Sequence, residues 1–259
     1  MAMIDTNSTK INVEVEGPAD APVLMLSNSL GTNLHMWDPQ MPEWSKRFRV
    51  VRYDRRGHGK SAVPAGPYSM EMLGRDVLGI LDALKIKKTN WCGLSMGGMV
   101  GQWLGANAPD RIEKLVLCNT TYFYPDKSPW ADRIKMVRDK GLPSIVTGNM
   151  ERWFTKGFRD KNPDVVKQLT EHFTATKPDG YVACVEAIRD MDHRVLLPKI
   201  KAPTLIIAGK NDPATTVVMG EYLRDNIPGA KMVVLDAAHI SNVEQSNLYT
   251  QTVLDFLQS

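Results

Sequence analysis

Apolar and polar residues alternate along Lys10-Ile11-Asn12-Val13-Glu14-Val15-Glu16, the rhythm of a strand with one face in water. Residues 22–27 form instead a short unbroken apolar run, which predicts a strand covered on both faces, and residues 49–54 form a third candidate strand. Between residues 70 and 85, Met72, Leu73, Val77, Ile80, Leu81 and Leu84 recur at helical spacing. Residues 89–94 return to the strand pattern, residues 96–108 to the helical one, and residues 113–119 to a strand. There the rhythm lapses. From residue 121 to residue 198 the chain is charged and aromatic, with helical patterns and no buried strand. It resumes with a strand at 203–209, a helix-like stretch, a strand at 231–236 and a closing amphipathic helix over 244–257.

Strands separated by helices imply parallel pairing, with helices on both faces of the sheet. The expected fold is therefore α/β, a mostly parallel sheet built from residues 1–120 and 199–259. Residues 121–198 are expected to be a helical insertion laid over that sheet as a cap. No internal repeat of solenoid period interrupts this pattern.

At 259 residues the chain has room for one large domain, and 43% apolar content excludes general disorder. Its 32 basic and 29 acidic residues leave a formal charge of +3 with no basic stripe, which argues against nucleic acid as a partner. Cys92, Cys118 and Cys184 form no C-x-x-C pair and read as small buried hydrophobes in a reducing compartment. Residues 1–10 are polar and lack the apolar centre of a signal peptide. No apolar run approaches the ~18–20 residues of a membrane span, so a cytoplasmic protein without a membrane partner is expected. Nothing in the pattern sets an oligomeric state.

The chemistry concentrates in Gly93-Leu94-Ser95-Met96-Gly97, a G-x-S-x-G run with a strand before it and a helix after it. Such a turn projects the serine hydroxyl above the sheet edge, and Gly93 and Gly97 remove the side chains that would collide there. A serine hydroxyl needs a base to attack at neutral pH. Further along the chain, Asp212 and His239 each lie just past a strand at the same sheet edge, in the order nucleophile, acid, base. Asp236 is the competitor for the acid, placed where local contacts are expected. His35, His58, His172 and His193 are expected to be solvated or structural. No metal-binding spacing appears, so neither metal nor cofactor is expected. The oxyanion needs two N–H donors: the Met96 backbone and one from residues 27–32, where Leu30 is chosen and Ser29 stands one register away.

The order Ser95, Asp212, His239, with Asp54-x-Arg56-Gly57-x-Gly59, resembles the α/β-hydrolases along the whole chain. Within them it is most similar to the 3-oxoadipate enol-lactonases. The shared stretches are Ser27-Asn28-Ser29-Leu30-Gly31-Thr32, Trp37-Asp38-Pro39-Gln40, Gly66-Pro67-Tyr68, Leu73-Gly74-Arg75-Asp76-Val77, Trp130-x-x-Arg133-Ile134 and residues 238–244. The resemblance implies opening of a small enol-lactone to 3-oxoadipate in the β-ketoadipate route of aromatic degradation. Two alternatives stay open: a broad carboxylesterase for short acyl esters, and a non-catalytic receptor that retains the residues. In the cap, Trp130, Trp153 and Phe154 are expected to give the pocket an apolar wall. Arg133, three residues past Trp130 and so on the same helical face, is the candidate partner for a substrate carboxylate.

Overall fold

In the computed structural model, which describes residues 2–259, eight strands form one sheet in the order β1-β2-β4-β3-β5-β6-β7-β8. They are β1 (Ala2–Thr6), β2 (Thr9–Glu16), β3 (Val23–Ser27), β4 (Arg49–Tyr53), β5 (Thr89–Leu94), β6 (Ile112–Cys118), β7 (Thr204–Gly209) and β8 (Lys231–Leu235). The first two pairings, β1 with β2 and β2 with β4, are antiparallel, and the rest are parallel. The parallel strands β3, β5 and β7 are buried on both faces, as the apolar run at residues 22–27 predicts for β3.

Register decides where the chemistry gathers. Ser27 stands opposite Gly93, Leu94 opposite Cys118, Cys118 opposite Ile207, and Gly209 opposite Leu235. The carboxyl ends of five neighbouring strands are thus level, and the segments after them open on one edge of the sheet. That edge is where open α/β sheets bind ligands.

Around the sheet run α1 (Met41–Trp44), α2 (Met70–Ala83) and α3 (Met96–Asn107). Between β6 and β7 come α4 (Ser128–Lys140), α5 (Val146–Trp153), α6 (Lys156–Lys161), α7 (Pro163–Thr174) and α8 (Pro178–Asp190). The chain ends with α9 (Val217–Asn226), α10 (Ser241–Glu244) and α11 (Ser246–Gln258). Trp37, Trp44 and Tyr249 pack with ring centroids 6.1–6.3 Å apart and fasten α11 to the first part of the chain.

The five helices α4–α8 contribute no strand to the sheet, and a lone antiparallel bridge, Phe123 with Asp192, closes the neck of the segment. Pro129, Pro163 and Pro178 sit in the first turns of α4, α7 and α8, where the missing N–H has no intrahelical partner to lose. The buried face of α8 lies on the core turn after β4: a Cβ on Gly57 would stand 2.7 Å from the Gly180 Cα.

Two elements differ from the sequence pattern. Residues 2–6 form an edge strand, which the polar composition of the N-terminus hid because only Ile4 and Thr6 turn inward. The closing helix is two helices, separated at Gln245. Just before that break, the Glu244 carboxylate accepts bonds from the Ala238 N–H and from Thr155.

Candidate active site

Ser95 joins β5 to α3 with φ 56° and ψ −115°, a left-handed conformation that costs a non-glycine residue of order 1–3 kcal/mol. The turn is held from three sides. The Ser95 N–H donates to the Cys118 carbonyl at 2.8 Å, the Thr120 hydroxyl to the Ser95 carbonyl at 2.7 Å, and the Gly97 N–H to the Asn28 carbonyl at 3.1 Å. No side chain fits beside it: a Cβ on Gly93 would stand 2.2 Å from the Gly97 carbonyl oxygen, and one on Gly97 would stand 2.1 Å from that of Ser27. The two glycines are required by close backbone approach.

Asp212 and His239 follow β7 and β8, and their side chains meet with Oδ2 and Nδ1 2.8 Å apart. The carboxylate is fully engaged. Oδ1 accepts the N–H groups of Ala214 and Thr215 at 2.8 and 3.0 Å, while Oδ2 accepts the Thr215 hydroxyl at 2.6 Å and Asn119 Nδ2 at 3.1 Å. Burial alone would raise its pKa. The charge and hydrogen bond of His239, with the bonds from Thr215, outweigh burial and leave Asp212 below the usual carboxylate range. As an ionised acceptor it holds an imidazole proton on Nδ1 and leaves Nε2 for another partner. Asp236, by contrast, is exposed and accepts a local bond from Asn211 at 2.9 Å.

A cavity of about 400 Å³ lies between this sheet edge and α4–α8. Ser95, His239, Ser29 and Leu30 line it from the core; Trp130, Arg133 and Trp153 line it from the insertion. Among the described residues no hydrogen bond joins the Ser95 hydroxyl to His239, although both open on the cavity. The backbone N–H groups of Met96 and Leu30 likewise meet no acceptor there. Ser29, the competing register, has its N–H engaged with Met36 Sδ at 3.3 Å.

Phe154 departs from expectation. It is fully buried and stacks on Phe158 with centroids 4.9 Å apart, so it packs the insertion and does not reach the cavity. Arg133 lies 5.6 Å over the Trp130 ring and donates to the Tyr181 hydroxyl at 2.8 Å. A second arginine, Arg152, opens on the same cavity beside Asn149, to which it donates. Burial, then the positive charge of Arg133, lowers its pKa. Among the described residues neither guanidinium has a carboxylate partner. Arg152, Asn149, Asn119 and Thr215 were not singled out in the sequence. Adjacency to Trp153 was the available signal for Arg152, whereas the others depend on contacts across the fold.

Two further histidines are buried and not solvated. Burial, then the charge of Arg55, pushes His58 down to about 3, and burial pushes His193 down to about 4. Both are neutral in the folded protein at neutral pH and regain ordinary basicity on unfolding. The unfolded chain therefore binds more protons below pH 6.5, the ordinary histidine value. Stability from this source is full above that pH and falls toward pH 3–4, each histidine steepening the slope by up to ~1.4 kcal/mol per pH unit. The urea midpoint should fall between pH 6.5 and 4.5, and His193→Gln, still able to bond Gln102, should flatten the fall. An unchanged slope in that variant would remove His193 as a source.

Against known proteins, the α/β-hydrolase fold family model matches residues 22–246, and the chain belongs to that family. It is 41% identical over 243 residues to 3-oxoadipate enol-lactonase 2 of Acinetobacter baylyi, covering 94% of this chain and 91% of that one. The crystal structure of the enol-lactonase from Burkholderia xenovorans LB400 superposes with a TM-score of 0.98 at 43% identity, covering both chains completely. A thermophilic esterase from Thermogutta terrifontis, solved with malate bound, superposes with a TM-score of 0.92 at 28% identity, covering 99% of this chain and 97% of that one.

Proposed function

We propose that this protein opens a small lactone bearing a free carboxylate, with 3-oxoadipate enol-lactone as substrate, by acyl-enzyme catalysis at Ser95. Its family and relatives make it a hydrolase of ester bonds. The observation that carries the finer proposal is the cavity itself. One wall holds Ser95 and His239; another holds Arg133 and Arg152, two guanidinium groups without a carboxylate partner among the described residues. Asp126 also lines the cavity, its carboxylate engaged by the Ser128 N–H and hydroxyl, so two arginines against one carboxylate leave a net positive wall that favours an anionic occupant. The malate-bound relative is a neighbour in which a dicarboxylate is present.

In this mechanism His239 takes the Ser95 proton as Oγ attacks the lactone carbonyl, and Asp212 orients the imidazole and stabilises its charged form. The amides of Leu30 and Met96 receive the tetrahedral oxyanion. His239 then protonates the leaving enolate, which tautomerises to a ketone on the still-attached acyl chain. Water, activated by the same histidine, releases the keto acid. Residues 121–198 act as the cap that excludes solvent, with Trp130 and Trp153 against the ring and the arginines on the carboxylate.

The test compares 3-oxoadipate enol-lactone with a panel of short neutral esters. Arg133→Ala and Arg152→Ala should each lose roughly 1.5–3 kcal/mol, about ten- to 150-fold in kcat/KM, on the anionic lactone, the range for hydrogen bonds to charged groups. Neutral esters should change by less than about threefold, because no charge is left unpaired there. Equal losses on both substrates would mean the arginines only support the cap. A wild type faster on neutral esters than on the lactone would favour a broad carboxylesterase, and no turnover at all a binding protein.

A further inference from the structure

The turn at residues 54–59 is a prominent motif of the sequence, yet the chemistry above makes no use of it. It reaches under the segment that carries the Leu30 amide. Both ends of that segment are fastened to it: Arg55 Nη2 donates to the Asn28 carbonyl, and Asp54 Oδ1 accepts the Leu34 N–H at 2.9 Å. The turn is itself anchored by a buried ion pair, with Arg56 Nε 2.6 Å from Asp76 Oδ2 on α2. In the middle, the Gly31 N–H donates to His58 Nε2 at 2.9 Å.

We infer that His58 and Thr32 are positioning residues that fix the two peptide planes on either side of Leu30 and so hold its N–H ready for the oxyanion. The inference rests on the role proposed above for that amide. A trans peptide is planar, with its carbonyl and N–H pointing in opposite directions. In the plane before Leu30 the carbonyl is that of Ser29, which accepts the Thr32 hydroxyl at 2.9 Å and the Thr32 N–H at 3.4 Å. Holding that carbonyl directs the Leu30 N–H the opposite way. In the plane after Leu30 the N–H is that of Gly31, held by His58. Because Gly31 only donates, His58 Nε2 carries a lone pair and the imidazole proton sits on Nδ1. Burial keeps His58 neutral, which preserves the acceptor. Of the four N–H groups from Ser29 to Thr32, those of Ser29, Gly31 and Thr32 have acceptors. The Leu30 N–H is left for a ligand. Without His58, the buried Gly31 N–H would lose its partner, and turning that plane to find another would turn Leu30 with it.

Two conservative pairs test this: His58→Leu against His58→Gln, which restores an acceptor, and Thr32→Val against Thr32→Ser, which restores the hydroxyl. Each is assayed on p-nitrophenyl acetate and against a short alkyl trifluoromethyl ketone. In that adduct Ser95 Oγ bonds to the carbonyl carbon, the Ser95 proton passes to His239, and the ketone oxygen becomes the oxyanion. His58→Leu and Thr32→Val should lower kcat about 10²-fold, the scale of losing one oxyanion donor, and weaken ketone binding by a similar factor. KM should move less than about threefold, and His58→Gln and Thr32→Ser should recover to within about fivefold of wild type. Undiminished ketone affinity in both His58→Leu and Thr32→Val, with an active wild type, overturns the inference alone. So does equal damage in the restoring variants with melting temperatures falling in step, the mark of a merely structural role. Should His58→Leu fail to fold, the nearly isosteric Thr32→Val decides by the same criteria. A wild type that neither turns over the ester nor binds the ketone overturns the hydrolase mechanism, and this inference with it.

Discussion

Ser95→Ala and His239→Ala should each remove nearly all hydrolysis, at least 10³-fold by the usual scale for a nucleophile or its base, while leaving the fold intact. The double variant should be little worse than either single one. Once the hydroxyl is gone the imidazole has no proton to take, so the second loss has little left to subtract. The measurement is kcat on p-nitrophenyl acetate and on the enol-lactone, beside the melting temperature of each variant. More than about a tenth of the wild-type rate in Ser95→Ala would refute the nucleophile, since loss of such a residue costs far more than tenfold. The melting temperature should not fall and has reason to rise in Ser95→Gly. Glycine relieves the left-handed strain at φ 56° without touching the three bonds that hold the turn.

Asp212→Asn is expected to cost on the order of 10³–10⁴-fold, because an amide can present an N–H where the imidazole needs an acceptor and so favours the wrong tautomer. The geometry makes this sharper than a lost charge. Asp212 accepts five hydrogen bonds, two of them from backbone N–H groups, and an asparagine oxygen at Oδ1 would keep those two. Its NH2 would then face His239 Nδ1, the Thr215 hydroxyl and Asn119 Nδ2. Asp236→Asn should leave activity within about twofold, since that carboxylate is exposed and serves a local contact with Asn211. The comparison is read on kcat with the same two substrates. A larger loss in Asp236→Asn than in Asp212→Asn would transfer the role to Asp236.

The meeting of Asp212 with His239 follows the order expected from the sequence. Asp212 lies in the loop just past a strand, where a carboxylate can reach a histidine, whereas Asp236 sits on the leg from strand to loop, where a local contact was expected and is made. Arg133 was legible for a similar reason, as a charge at helical spacing from an aromatic residue. Arg152 carries equal weight in the cavity but escaped notice. Its helix α5 is only eight residues long, and no periodicity over so short a span tells an inward arginine from a surface one. Phe154, two residues on, illustrates the converse. Its composition suited a pocket wall, and its contact with Phe158 turned it into the packing of the insertion.

Local pattern alone was enough for the alternation of strands and helices from β2 to β8, for the run of helices between β6 and β7, and for placing Ser95, Asp212 and His239 just past β5, β7 and β8. These depend on local periodicity and on turn chemistry, which neighbouring residues dictate. The N-terminal edge strand depends instead on tertiary pairing, because contact with β2 stabilises residues that have little strand character of their own. The environment of His58, expected from the sequence to be solvated or structural, likewise depends on tertiary contact. Its partner Gly31 is 27 residues away, with β4 between them, and no local rule links them. The cavity and its two arginines belong to the same category. They exist because α4–α8 fold back over a sheet edge made level by strand register, and register is a property of pairing between distant segments rather than of any one of them.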